Sequence, residues 1–154
     1  MSAGRRRIAF LEQAAAVLRG IATGPTVQIG VDAIFQEAGP YPWIGLLPAP
    51  GSKVERDEFG PGSITDAFRV FVFGYVQGAT QTDRTELLLT IVEHCQDALH
   101  RALTGPFAAW RPGTQYPYAD FIDFEEEDLT YHREGTGAEF VLPVMVRIPD
   151  TLAA

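Results

Sequence analysis

Residues 83–103 read DRTELLLTIVEHCQDALHRAL, and this stretch decides the fold. Apolar residues recur along it at steps of three and four, which places them on one stripe of a helix: Leu88, Ile91, Val92, Cys95, Ala98, Leu99 and Ala102. Asp83 followed by Glu86 has the spacing of a capping box, and the Thr-Gly-Pro sequence at 104–106 is typical of a helix end. An isolated helix of this kind is marginal in water, so we expect it to pack on a sheet.

A second amphipathic helix is predicted from Arg5 to Arg19. Its apolar residues are spaced for one face: Ile8, Leu11, Ala15 and Leu18. The first turn is basic, which opposes the helix dipole. Two interpretations of this turn stay open, a frayed and solvated helix start or a docking point for an acidic neighbour.

Length, composition and net charge narrow the classes of protein to which this chain can belong. The chain has 154 residues, of which 46% are apolar and 21% charged, so we expect a single domain over 1–154. A net charge of −8 weighs against a protein that grips DNA or an anionic membrane, but not against one through which DNA passes. No apolar run has the roughly 20 residues of a membrane span, and the start lacks a signal-peptide pattern. These features predict an intracellular protein with no membrane contact.

Residues 66–77, DAFRVFVFGYVQ, are the strongest predicted strand. One side of this strand carries Phe68, Val70, Val72 and Val76, and the other carries Phe71, Phe73 and Tyr75. A strand that is apolar on both faces needs a cover on each. The helix at 83–103 covers one face, so we expect another subunit to close part of the second.

The remaining segments complete an α+β prediction. Residues 41–47 form a buried strand, and 48–63, PAPGSKVERDEFGPGS, form a long loop without periodicity. Strands over 118–129 and 138–148 flank a turn and form a hairpin, and Pro143 places the last strand at an edge or a bulge. The fold class is therefore α+β, with a mostly antiparallel sheet of about four strands, two amphipathic helices packed on it and a long loop.

No catalytic, metal-binding or cofactor-binding site is predicted, and we expect a protein that is not an enzyme. The sequence contains no phosphate-binding glycine motif, no nucleophile elbow and no H-x-x-x-H pair. Cys95 lies on the apolar helix stripe, which predicts a buried, inert thiol. In an extended strand only alternate members of the acidic run 125–128 converge, which makes a weak divalent-cation site at best. A solvated or pore-facing acidic edge is the preferred interpretation.

The order of these elements resembles a known family. An N-terminal amphipathic helix, the strand YPWI at 41–44 and a charged loop come first. RVFVFGY at 69–75 then runs into the long helix, and GAEFVLPVMVRI at 137–148 closes the chain. This arrangement resembles the tail-terminator families (tail-completion, gpU-like and minor tail proteins) of long-tailed bacteriophages and related tail-like particles. The resemblance spans about Ile8 to Ile148 and rests on the order of the helices and strands. Neither the connection at 112–118 nor the acidic run at 125–128 corresponds to a pattern of the family.

The resemblance implies a structural role in a virion. Proteins of this family form a ring of about six copies that caps the finished tail tube and joins it to the head's neck, with the sheets lining the channel. The implied partners are sister copies, a tail-tube protein and a head-completion or neck protein, while DNA passes without specific binding. The implied location is the tail or neck of the virion, and the host cytoplasm during assembly.

Three sets of residues carry predicted roles in such a ring. The charged loop contacts a neighbouring subunit or the tube through Lys53, Glu55, Arg56, Asp57, Glu58 and Phe59. The acids that face the lumen, where like charge repels DNA, are Glu125, Glu126, Glu127 and Asp128. The inter-subunit sheet face consists of Phe71, Phe73 and Tyr75.

Two other interpretations stay open. The first is a tail-tube or head-closure protein with a similar α+β body, which filament formation by the isolated protein would favour. The second is a small enzyme or ligand-binding α+β domain whose pocket lies under the 48–63 loop near Trp43. A bound metal in a pocket that joins His132 to two acids would favour the latter.

Overall fold

The computed structural model describes residues 3–30, 42–56, 63–104, 108, 110, 118–131 and 136–151. Two helices and six strands lie in these ranges. In chain order they are α1 (Ala3–Arg19), β1 (Thr26–Ile29), β2 (Trp43–Arg56), β3 (Ser63–Gln77), α2 (Gln81–Leu103), β4 (Phe121–Phe124), β5 (Asp128–Tyr131) and β6 (Gly137–Thr151). Neither helix has the length and apolar character needed to cross a membrane.

Helix α2 confirms the central helix prediction, but it begins earlier than the sequence suggested. Thr80 is the N-cap, and its hydroxyl oxygen accepts a hydrogen bond of 3.1 Å from the backbone N–H of Asp83. Asp83 was predicted to be the cap and instead lies in the first turn, where its carboxylate favours the positive end of the helix dipole. The buried stripe holds Leu88, Ile91, Val92, Cys95, Leu99 and Leu103.

Helix α1 packs on the same face of the sheet as α2, and its basic start has a partner within the chain. Its buried residues are Phe10, Leu11, Ala14, Ala15 and Leu18. Ile8, which was predicted to lie on the apolar face, is 56% exposed. Arg7 donates to the fully buried carboxylate of Asp66 on β3 from Nε at 3.0 Å and from Nη2 at 2.6 Å. The basic turn is therefore anchored by an acid of the same chain, which agrees with the docking of this turn on an acidic neighbour and not with a frayed, solvated start.

The sheet has six strands, where the sequence predicted about four. Its order is β1-β2-β3-β6-β4, and β5 also pairs with β6. All pairings are antiparallel except β1 with β2, which run parallel. The two additional strands are short: β1 is four residues long, and the predicted 118–129 strand divides into β4 and β5.

The loop predicted at 48–63 is wrong for most of its length, because β2 continues to Arg56 and β3 begins at Ser63. Residues 53–56 pair with 64–67 of β3, and a register shift between Ala49 and Lys53 absorbs the Pro-Gly-Ser segment at 50–52. The prolines and glycine erased the period-two pattern in the sequence. The sheet tolerates Pro48 and Pro50 for a simple reason. The described pairing of β1 with β2 ends at Leu46, so the missing N–H groups of these prolines cost no hydrogen bond to β1.

Strand β6 is central, so of the two predicted explanations for Pro143, an edge or a bulge, the edge is wrong. It pairs with β3 over 15 residues on one side. On the other side β5 pairs with 138–141 and β4 with 144–147. Pro143, which has no N–H, lies at the gap between these two short strands, and its carbonyl accepts a hydrogen bond of 2.9 Å from the backbone N–H of Glu125.

One hydrophobic core joins both helices to one face of the sheet. The sheet contributes, among others, Phe68, Val70, Val72, Leu142, Val144 and Val146. Phe10 of α1 meets Phe68 edge-on with 5.6 Å between ring centroids, and the Arg7 guanidinium lies over the same ring at 5.5 Å. Because both helices contribute to this one core, the opposite face of the sheet has no described helix on it.

Candidate functional site

The candidate site is the face of the sheet on which the described part of the chain places no helix, called here the helix-free face. Side chains alternate along a strand, and directly paired residues share a side. The residues that define the face through this rule are Trp43, Leu47, Phe71, Phe73, Tyr75 and Val141. The predicted inter-subunit set of Phe71, Phe73 and Tyr75 is thus brought together, with Trp43 and Val141 added by the neighbouring strands.

An aromatic cluster forms the floor of this face. The Trp43 ring lies 5.6 Å from the Phe73 ring, at an interplanar angle of 65°, and 5.5 Å from the Tyr75 ring. Trp43 is 1% exposed and Phe73 is 8% exposed. Gly45 makes this packing possible, because a Cβ at that position would fall on the Phe73 ring. The floor is therefore closely packed and preformed within one chain.

Beside the cluster lies an open groove of about 300 Å³. Its lining is aromatic and aliphatic apart from one carboxylate: Leu47, Phe71, Phe73, Tyr75, Glu139, Phe140 and Val141. Phe71 and Tyr75 are half-buried, and Val141 is 37% exposed. A groove of this composition removes apolar surface from water when it is filled, and it offers one negative charge at its wall.

The predicted lumen acids lie along the edge of the sheet, next to the helix-free face. Glu125 is half-buried and forms a salt bridge of 2.9 Å with Arg69 of β3. Glu126, Glu127 and Asp128 are exposed. Residues 125–127 form the connection between β4 and β5 rather than a continuous strand, so the expected alternation of their side chains does not apply. Among the residues that the structure describes, no group of three or more His, Cys, Asp or Glu is placed to hold a metal ion.

The first half of the predicted contact loop is part of strand β2. Lys53, Glu55 and Arg56 belong to β2, where their partners on β3 are Ala67, Thr65 and Ile64. Asp57, Glu58 and Phe59 lie outside the described residues. The structure therefore places half of this set in a strand-paired extension of the sheet, and its role in a subunit contact stays a prediction.

Cys95, His94 and His100 lie on α2, apart from the helix-free face. Cys95 is buried on α2, and desolvation raises the pKa of its thiol to about 12. This supports the predicted inert thiol, since the thiolate is the nucleophile. His100 is exposed and His94 half-buried on α2, while the predicted alternative that involved His132 falls outside the described residues.

Sequence reasoning named Trp43 only as lying near the pocket of the ligand-binding alternative, and it missed Val141 and the partner of Glu125. Val141 lies on the side of β6 that also carries Glu139, Pro143, Met145 and Arg147, and the apolar residues on that mixed side were the signal for a groove wall. Trp43 was placed on a buried strand without a face, because YPWIGLL is apolar throughout. The pairing of Arg69 with Glu125 had no local signal, because 56 residues separate them in sequence.

Comparison with known proteins supplies a structural likeness only. No family model matches the chain, and no curated protein sequence matches it. The structure is similar to a chain from the virion of a native gene transfer agent particle, with a TM-score of 0.50 and 14% sequence identity. The superposition covers 92% of this chain and 93% of that chain. At this identity the likeness shows a shared fold, and it extends over nearly the whole of both chains.

Proposed function

We propose that this protein is a structural subunit of a phage-like tailed particle. In this proposal about six copies form a ring that caps the tail tube, joins it to the neck of the head and leaves a channel for DNA. The observation that carries the proposal is a sheet whose described helices all lie on one face, while the other face holds an aromatic floor and an open apolar groove. Exposed apolar surface of this kind marks a protein contact site.

The shared fold with a virion chain supports this proposal. The likeness covers more than nine-tenths of each chain, so it concerns the whole body of the protein. It agrees with the arrangement of helices and strands that resembled tail terminators in sequence. The proposed partners are sister copies, a tail-tube protein and a head-completion or neck protein, and the proposed location is the tail or neck of the virion.

The charge distribution fits a channel that DNA traverses without binding. Each copy carries −8, so six copies carry −48. The exposed acids Glu126, Glu127 and Asp128 are the local concentration of that charge at one sheet edge. Carboxylates repel duplex phosphates only within about 8 Å at physiological salt, so these acids matter only if that edge faces the lumen.

We also propose that the role is structural rather than catalytic. The groove presents aromatic and aliphatic walls around one carboxylate, Glu139, which suits the burial of another apolar surface. The single thiol is buried with a raised pKa, so it does not supply a nucleophile at neutral pH.

The test of the proposal is the assembly state of the purified protein. We expect mass photometry to show a ring-sized species that grows with concentration, and negative-stain microscopy to show annular particles or capped tubes. Filaments would favour the tail-tube alternative. A monomer at every concentration, with no binding to tail tubes, would contradict the proposal.

A charge-reversal pair tests the channel. Glu126→Lys with Glu127→Lys changes exposed residues, so we expect unchanged folding and a lower yield of infective particles. The matched control reverses two exposed acids on the outer side of α2, Glu86→Lys with Glu93→Lys. Equal infectivity of the two double variants would refute a lumen role for the acids at the sheet edge.

A further inference from the structure

We propose that Arg69 is a positioning residue, whose side chain crosses strand β6 and holds the connection between β4 and β5 in place. That connection carries the exposed acids Glu126 and Glu127, so the position of their charge depends on a residue of another strand, β3. The inference rests on the proposed function only where it concerns DNA, because it names the residue that keeps these acids in the channel wall. The contact that holds the connection does not depend on that function.

The Arg69 side chain links three parts of the sheet on the helix-free face. Arg69 lies on β3 directly opposite Met145 of β6, and its Nε donates to the Met145 sulfur at 3.0 Å. Nη2 of the same guanidinium lies 2.9 Å from Oε1 of Glu125, on the far side of β6. Two strand spacings amount to about 10 Å, which an extended arginine and a glutamate cover together. The arginine therefore passes over β6, contacts Met145 on the way and ends on the β4–β5 connection.

Glu125 is the first residue of this connection and is held at two points. Its carboxylate meets Arg69, and its backbone N–H donates to the carbonyl of Pro143 at 2.9 Å. A side-chain contact and a main-chain contact together fix both the place and the orientation of the residue. Glu126 and Glu127 follow directly and are exposed, so the placement of Glu125 determines where their carboxylates lie.

The strands on either side of the connection have little apolar contact to hold them. Strands β4 and β5 are four residues long. Among their residues whose burial the structure describes, Ile122 alone is buried, while Phe124 and Leu129 are partly buried against the core. Segments with few buried apolar contacts open locally before the rest of a fold. An ion pair that ties this segment to β3 therefore has a larger effect here than it would have on a long, well-buried strand.

The strength of the ion pair predicts a local effect. The Arg69 side chain is 47% exposed and the Glu125 side chain is 34% exposed. Water screens ion pairs at this exposure, so their contribution is small compared with the stability of a whole domain. We therefore expect loss of the pair to loosen the β4–β5 connection while the domain stays folded with a nearly unchanged Tm.

The first experiment measures hydrogen–deuterium exchange of the full chain by mass spectrometry. Arg69→Ala removes the guanidinium, and Arg101→Ala is the matched control, because it removes the base of an exposed pair that lies within a single helix. We expect amides in peptides that cover 121–131 to exchange about 2–5-fold faster in Arg69→Ala, as loss of an exposed ion pair requires. Arg101→Ala is expected to keep the wild-type rate in these peptides. A wild-type rate in Arg69→Ala would overturn the inference.

The second experiment exchanges the two charges and thereby separates the ion pair from packing. Arg69→Glu alone places two carboxylates together, and we expect the fastest exchange over 121–131 in this variant. The double variant Arg69→Glu with Glu125→Arg restores an opposite pair whose combined reach is unchanged, so we expect slower exchange than in Arg69→Glu. Salt at 1 M should also reduce the difference between Arg69→Ala and the wild type, because it screens the pair. Equal exchange in the double variant and in Arg69→Glu would overturn the positioning role of the ion pair.

The third measurement is the yield of infective particles, and it separates this inference from the proposed function. We expect Arg69→Ala to lower the yield and Arg101→Ala to leave it unchanged, because only the first variant releases the acids at the sheet edge. Faster exchange with a wild-type yield would support the hold on the connection and refute the lumen role of the acids. Wild-type exchange in Arg69→Ala would refute the inference and leave the proposed function standing.

Discussion

Asp66→Asn is the substitution that most directly tests how α1 is held on the sheet. The Asp66 side chain is fully buried on β3 and accepts hydrogen bonds from the Arg7 guanidinium at 3.0 and 2.6 Å. The Nε of Arg6, whose side chain is 2% exposed, lies 3.8 Å from the same carboxylate. Asparagine keeps the shape of the side chain but removes the negative charge that faces two guanidinium groups.

The expected loss of stability follows from burial. Removing one partner of a buried ion pair costs about 3–5 kcal/mol, because it leaves a buried charge without compensation. The Arg7 side chain is 28% exposed and recovers part of its hydration, so we expect the lower end, about 3 kcal/mol. For a domain of this size each kcal/mol lowers Tm by about 2–4 °C, which gives a decrease of about 6–12 °C.

The assay is urea unfolding followed by circular dichroism, with a thermal scan as the second measurement. The matched control is Asp97→Asn, which removes the acid of an exposed pair with Arg101 on α2, at 2.8 Å and with side chains 60% and 74% exposed. An exposed pair of this kind contributes about 0.3–0.5 kcal/mol. If Asp66→Asn destabilised the protein no more than Asp97→Asn, the proposed anchoring of α1 by Asp66 would be refuted.

The remaining predictions concern α2. Leu88→Asp, at a fully buried position, is expected to abolish folding by circular dichroism, whereas Leu87→Asp, at a position 40% exposed, is expected to leave the protein folded. Thr80→Ala removes the N-cap hydrogen bond and should cost about 1 kcal/mol in urea unfolding, and an equal loss in the exposed mid-helix control Thr90→Ala would contradict a capping role. Burial raises the pKa of Cys95 from 9.0 to about 12, so its contribution to stability is complete below pH 9 and is lost as the pH rises to about 12. Urea titrations at several pH values should show this decline in the wild type and less of it in Cys95→Ala, and equal slopes would be inconsistent with it.

Period-based reasoning predicted the parts of the fold whose burial repeats regularly. The stripe of α2 and the alternation of β6 each follow one period over many residues, and both elements cover nearly the residue ranges that the sequence predicted. The two-sided apolar pattern of 66–77 likewise predicted a strand with different contacts on its two faces, and Phe73 indeed belongs to a cluster separate from the core. Residue type and spacing were sufficient in these elements because burial is set by position along one element.

Features that depend on contacts between distant segments were not predictable in this way. Asp66 is 59 residues from Arg7, and nothing local marks it as the acid that anchors α1. The strand beyond Pro48 was hidden because prolines and a glycine break the side-chain pattern, although β3 supplies backbone partners for residues 53–56. The alternation within one strand predicted that Phe71, Phe73 and Tyr75 share a face of the sheet. The contribution of Val141 to the groove wall could not be predicted in this way, because it depends on the pairing of β3 with β6.

Strands β4 and β5, which border β6, are short, and their length limits main-chain pairing with other molecules. Strands β4 and β5 are four residues long, and the exposed carboxylates of Glu126 and Glu127 stand between them. An extended segment from another molecule would find only a brief run of main-chain donors and acceptors there before it met negative charge. Short, charged borders of this kind discourage fibrous stacking. A chain rich in β-structure can thus resist stacking edge to edge into fibres.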